Sequence, residues 1–189
     1  MPTPERPRAD SSVRLAVPAD AVSIARVQAD ALRVSYEPLL PPEVVTGFDQ
    51  SAAEADWGAA IASPPTGRHR VFVAVAEADV VGFAATIPGT DTDLDPARDA
   101  ELVALHVAPD RVRQGHGSRL MAALVDHARD DGFSRLVCWV FAADDPMRLF
   151  LRDNGWAADG STRDLDIGEL LHQVRLHTAI GEPGGGLIA

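Results

Sequence analysis

Apolar residues recur at helical spacing from Val22 through Ile24, Val27 and Ala31 to Leu32, which predicts a helix over 21–32 with Asp20 as its N-cap. The stretch Leu39-Leu-Pro-Pro42 interrupts it. A second helical stretch over about 42–61, in two pieces, precedes the loop Ser63-Pro-Pro-Thr-Gly-Arg68. The period then changes. Val71–Ala76 and Val80–Ile87 are rich in β-formers and flank the turn Glu77-Ala-Asp79, which predicts a hairpin. Residues 88–98, with Pro88, Gly89, Pro96 and the charged Asp91, Asp93, Asp95 and Arg98, predict a long solvated loop. A third strand over 101–107 ends at Pro109. After a glycine-bearing loop comes a helix over 115–131, with Leu120, Met121, Leu124, Val125 and Ala128 as its apolar stripe. Residues 135–141 are apolar on both faces, the pattern of a strand covered on both sides. A short helix capped by Asp144 or Asp145, with Pro146 in its first turn, ends at Asn154-Gly155. Strands near 161–166 and 171–179 complete the order.

The order α-α-β-β-β-α-β-α-β-β contains one hairpin and one strand–helix–strand crossover. It predicts an α/β (α+β) fold, a mixed central sheet with helices on both faces. The 189 residues suit one domain over 12–180, between a disordered leader at 1–11 and a flexible tail at 181–189. No apolar run approaches the roughly 18 residues of a membrane span. The polar, proline-rich N-terminus lacks the apolar core of a secretory signal, so the expected location is the cytoplasm.

Cys138 is the single cysteine, which excludes an intrachain disulfide and a cysteine metal cluster. Its apolar surroundings predict a buried, inert thiol. The six histidines contain no HxxxH pair, so no metal is expected. Net charge is -11 and all 17 basic residues are arginine. That balance argues against nucleic acid or an anionic membrane as partner and favours a cationic small molecule. An anionic cofactor must therefore be held by a local feature.

One loop qualifies: Arg111-Val-Arg-Gln-Gly-His-Gly-Ser-Arg-Leu120. Gly115 and Gly117 permit close backbone approach, and the free N–H groups of the helix that follows face the same spot. Arg111, Arg113, His116 and Arg119 stand there against the lone Asp110. An anion site for a diphosphate is one reading; a tight strand-to-helix turn is the other. Arg119-Leu120 replaces the third glycine of a dinucleotide fingerprint, and a chain without lysine has no Walker loop.

Strand 101–107, Pro109, the glycine loop and its helix resemble the acyl-CoA-binding motif of the GCN5-related N-acetyltransferase (GNAT) family. The family pattern is Gln/Arg-x-x-Gly-x-Gly/Ala after a strand ending Val-x-Pro, matched here at Gly115 and Gly117 with Val112 in place of Gln or Arg. Trp139–Trp156 is similar to the family's strand and Asn-x-x-Ala-x-x-Phe-Tyr-x-x-x-Gly-Phe/Trp segment, and Val34–Pro41 to a stretch of small-molecule acetyltransferases. The resemblance covers roughly residues 13–180.

It implies splayed central parallel strands, 101–107 and 135–141, with acetyl-CoA between them and no metal. Contacts are implied from Leu105, His106 and Val107 to the arm, and from Val112, Arg113, Gln114, Gly115, His116, Gly117 and Ser118 to the diphosphate. Asp144 falls where an asparagine usually meets the pantetheine, and Tyr36 is placed toward the acceptor. Glu101 lies roughly 20 Å back along the strand from Val107, about the length of the pantetheine arm, so it becomes the candidate catalytic base. The tyrosine that usually protonates the leaving thiolate corresponds to Leu151. His106 alternates to the face opposite Glu101, and Trp139, Trp156 and Trp57 read as core. The expected reaction is acetylation of a small primary amine. Acetylation of a protein N-terminus or side chain, and a non-catalytic acyl-CoA sensor, are the alternatives. Family members often dimerise, which adds a homodimer to the expectations.

Overall fold

The computed structural model describes residues 11–181; the rest of the expected leader and tail lies outside them. One seven-stranded sheet runs in the order β1-β2-β3-β4-β5-β7-β6. Its strands are β1 (Ser11–Leu15), β2 (Arg70–Ala76), β3 (Asp79–Pro88), β4 (Asp99–Val107), β5 (Arg135–Phe141), β6 (Ala157–Asp166) and β7 (Leu170–Ala179). Among the described residues only β4 and β5 pair in parallel, joined by the crossover helix α4 (His116–Asp130). α1 (Ala21–Ala31), α2 (Pro42–Thr46) and α3 (Gln50–Ala62) precede β2, and α5 (Asp145–Asp153) follows β5. The mixed sheet and its flanking helices agree with the expected fold.

Each face has its own core. Leu120, Met121, Leu124 and Ala128 of α4 pack with Phe72, Ala74, Val81, Ala84, Leu102 and Leu105. On the other face Ile24 and Val27 of α1 and Trp57 and Ile61 of α3 meet Val73, Val80 and Phe83. The Trp57 indole N–H donates to Gln28 Oε1 at 2.8 Å, which satisfies its polar edge while the ring packs on Phe83.

Several local expectations are corrected or refined. β1 was not foreseen; it pairs with β2 at the sheet edge. Asp20 holds the N-cap position of α1 but makes no side-chain cap bond, because its carboxylate is taken by Arg14 at 2.7 and 2.9 Å and by the Val17 N–H at 2.8 Å. Those bonds tie β1 to the start of α1 and hold Asp20 below the usual carboxylate range. Residues 88–98 are mostly exposed, as a solvated loop should be, but they are also pinned to the sheet. Buried Arg175 of β7 donates to Asp91 and Asp93 of that loop and to Asp159 of β6, and Leu94 is buried beneath. The same Asp91 accepts the Trp139 indole N–H at 2.9 Å.

The feature that matters most for the site is a bulge. Ala85 of β3 faces Ala104 and the next residue, Thr86, faces Leu102, so Val103 is an extra residue in β4. Such a residue bends its strand and increases the twist. β4 and β5 pair only at Asp99↔Arg135, Ala100↔Leu136 and Glu101↔Val137, just before the bulge, and diverge beyond it.

Candidate active site

The parted strands form a fork. On its outer flanks β3 pairs with β4 as far as Val107 and β7 pairs with β5 as far as Phe141. The inner edges, Leu102–Val107 and Cys138–Phe141, are left with backbone N–H and C=O groups pointing into the gap. Buried backbone groups are nearly always paired, so an open gap of this kind is suited to an extended, amide-bearing chain. A cleft of about 330 Å³ occupies it, lined by both inner edges and by Tyr36, Asp144, Met147, Leu151 and Gln173 among others.

Above the open end sits the mouth of α4. Among the described residues, the amides of Gly115, His116, Gly117 and Ser118 donate to no protein acceptor, while Arg119 N–H closes the first helical bond on Gly115 C=O at 3.1 Å. Gly115 adopts φ +83°, and Arg113 φ 64°, in the left-handed region; this curls the loop so that successive N–H groups converge. Arg113 and Val112 are exposed, and the Arg119 guanidinium folds back to the Gln114 carbonyl at 3.2 Å. His116 is buried; burial first, then Arg119 and Arg111, depress its imidazole and leave it neutral. Gly117 is closed on its other side by α5, where an added Cβ would stand 3.4 Å from Phe150 Cζ.

Glu101 lies at the apex, the last paired position before the fork. It is 7% exposed and accepts a hydrogen bond from Thr90 Oγ1 at 2.7 Å rather than pairing with Arg98. His106 corrects a sequence expectation. Opposite residues of an antiparallel pair share a face, and Glu101 and His106 face Ile87 and Phe83, four apart on an unbulged strand. The bulge at Val103 has restored the parity, so Glu101 and His106 share one face.

Tyr36 reaches the same place from the π-type turn at Leu32–Tyr36 that ends α1. Its ring packs edge-on against His106 of β4 at 5.6 Å and Phe141 of β5 at 6.3 Å, spanning the fork. Burial and the nearby Asp144 carboxylate push its phenol up to about 12, so it stays protonated as a donor. Asp144 is buried, caps α5 by accepting from Met147 N–H at 3.1 Å, and is raised above the carboxylate range by burial. Cys138, pushed up to about 12 by burial, is an inert thiol as expected. Trp156 is core, whereas Trp139 lines the cleft with Arg163 stacked on its ring at 4.3 Å. Leu151 is buried and offers no proton.

The His106 ring lies between Tyr36 and Phe83, and burial pushes it down to about 4. An unfolded histidine takes a proton near 6.5 and the folded one does not until about 4. The unfolded state therefore binds more protons in that window, and stability falls as pH drops from about 6.5 to 4. Urea unfolding at pH 7 and pH 4.5 is expected to show a smaller acid loss for His106→Phe than for the parent chain.

Comparison with known proteins agrees with this geometry. Residues 31–156 match the model of the acetyltransferase (GNAT) family. The uncharacterized N-acetyltransferase YuaI of Bacillus subtilis is 30% identical over 130 residues, 68% of this chain and 70% of its own. In fold, the chain is similar to yncA of Salmonella typhimurium, a putative acetyltransferase solved with acetyl-CoA (TM-score 0.71, 17% identity, 96% of this chain and 100% of that one). It is also similar to the ribosomal-protein-alanine N-acetyltransferase of Brucella melitensis (TM-score 0.69, 22% identity, 88% and 98%). The PaiA N-acetyltransferase of Thermoplasma acidophilum, solved with coenzyme A, gives a TM-score of 0.69 at 15% identity over 87% and 98%. The chain belongs to the GNAT family, and its class is that of an acyl-CoA-dependent acetyltransferase. Among the described residues no helix is long and apolar enough to cross a membrane.

Proposed function

We propose that the protein transfers an acetyl group from acetyl-CoA to the primary amine of a small molecule in the cytoplasm, with Glu101 as the base. The observation that carries this reading is the alignment of three features. The unpaired amides of Gly115–Ser118 lie at the open end, two free strand edges run inward, and a buried carboxylate waits at the apex. The residues present fit the coenzyme. Amides at a helix mouth suit a diphosphate, with Val112, Arg113 and Gln114 beside it, and the edge at Leu105, His106 and Val107 suits the two amides of a pantetheine arm. Asp144 lies on the α5 side of the same cleft.

Acetyl-CoA supplies an activated thioester. Glu101, directly or through one water, takes the proton from the acceptor's ammonium, so that the neutral amine can attack. As the C–N bond forms the nitrogen loses its second proton to solvent and the C–S bond breaks, while inner-edge N–H groups of β4 donate to the carbonyl oxygen as it gains charge. The sulfur leaves as thiolate. A cysteine-type thiol has a pKa near 8.5, far below that of an amine anion, so departure needs no side-chain acid and the final proton comes from solvent. Tyr36, protonated and spanning the fork, donates a hydrogen bond on the acceptor side.

A small acceptor is favoured by the acceptor-side wall, where Ile167 of the β6–β7 turn and Val44 of α2 line a cleft of about 330 Å³. Because thiolate departure needs no side-chain acid, Leu151 fits both this reading and a sensor that only binds acyl-CoA. Thiol release decides between them. With acetyl-CoA and a panel of small amines, the enzyme liberates free CoA in step with N-acetylated product. A sensor would bind acetyl-CoA and liberate none.

A further inference from the structure

The acceptor side of the cleft has a chemistry of its own. Away from the strands its wall is Leu32, Leu40 and Val44 from the α1–α2 region and Ile167 from the β6–β7 turn, grouped around Tyr36. No arginine among the described residues lines it, and the chain has no lysine. The nearby arginines are committed elsewhere: Arg175 to three aspartates, Arg163 to Gln173 and the face of Trp139, Arg148 to the Ala142 carbonyl. Of the lining side chains that titrate, the Tyr36 phenol, His106 imidazole and Cys138 thiol are neutral at pH 7. Apart from the apex carboxylate of Glu101, which takes the acceptor's proton, Asp144 alone among the lining side chains can bring charge, and it is already engaged as the cap of α5.

An acceptor carrying a carboxylate or phosphate would lose its hydration here with no counter-ion, and a second ammonium would meet only one occupied carboxylate. Buried charge without a partner is strongly disfavoured. The net charge of -11 does not change this, since the nearest acidic cluster, Asp91, Asp93 and Asp159, is gathered on Arg175 outside the lining. We propose that the acceptor is a primary monoamine whose remaining body is neutral and apolar, seated among Leu32, Tyr36, Leu40, Val44 and Ile167. This rests on the small-amine reading above and narrows it.

Three amines of one length form the test: hexylamine, 6-aminohexanoate and hexane-1,6-diamine, assayed with the full chain at saturating acetyl-CoA. The kcat/KM for hexylamine is expected to exceed that for each charged partner at least about tenfold, the scale of an unpaired charge in a partly wet site. Leu40→Arg supplies the missing cation and should narrow the hexylamine to 6-aminohexanoate ratio about tenfold, whereas purely structural damage would lower both rates together. A charged amine equal to or better than hexylamine overturns the proposal and leaves the small-amine reading standing. A peptide with a free N-terminus acetylated in preference to hexylamine also overturns it. If acetyl-CoA binds yet none of the three amines is acetylated, the proposal and the small-amine reading fall together.

Discussion

Replacing Glu101 by Gln is expected to lower kcat for amine acetylation by at least about 100-fold, with acetyl-CoA affinity unchanged. General-base catalysis by a positioned carboxylate contributes roughly 10²–10⁴-fold, and the amide cannot accept the proton. The change is nearly isosteric. A glutamine oxygen can still accept from Thr90 Oγ1, now 2.7 Å from the carboxylate, so the buried apex keeps its bond and its packing. Acceptor deprotonation would then fall to solvent, and the variant's rate should rise tenfold per pH unit below the amine pKa. Stopped-time assays of kcat over pH 6–9, with acetyl-CoA titrated in parallel, read both consequences. Unchanged turnover in the variant would remove Glu101 from the base role.

Gly117→Leu is expected to weaken acetyl-CoA binding by at least about 100-fold. Its side chain would start against Phe150 and Val107, and a branched chain that cannot fit there must displace the mouth of α4, whose unpaired amides a diphosphate needs in close approach. The single variant has a second effect, because a Cβ at this position would lie 3.4 Å from Phe150 Cζ and 3.5 Å from Cε2, and larger groups would push α5 aside. Combining Gly117→Leu with Phe150→Ala makes room for the leucine. Loss of binding in the single variant with recovery in the double, by calorimetry or thermal shift, fits displacement of the amides. Full binding by the single variant would contradict the role given to them.

Much of this arrangement was legible in the residues. Helical and strand periods gave every element from α1 onward, and Gly115 and Gly117 after a strand ending near Pro109 marked the loop. Three kinds of feature were not. β1 has only Val13 and Leu15 as an apolar pair in Ser-Ser-Val-Arg-Leu, too short a pattern to stand out until β2 pairs with it. The bulge at Val103 has no glycine or proline to announce it, yet it sets the face of His106 and the point where the sheet opens. Contacts between distant segments are invisible by nature. Arg175 lies 82 residues from Asp93, and Tyr36 meets His106 and Phe141 only because the turn ending α1 folds back over the fork. The hairpin turn was found by position alone, since Glu77 and Ala78 take left-handed φ of 53° and 74° where glycine or asparagine is usual.

Backbone amide resonances at the mouth of α4 provide the most direct measurement. Titrating the isotope-labelled chain with acetyl-CoA should shift Gly115, His116, Gly117 and Ser118 most strongly, with Leu105–Val107 next, and coenzyme A lacking the acetyl group should move the same four amides alike. Saturable binding of acetyl-CoA that leaves those four resonances in place would contradict it.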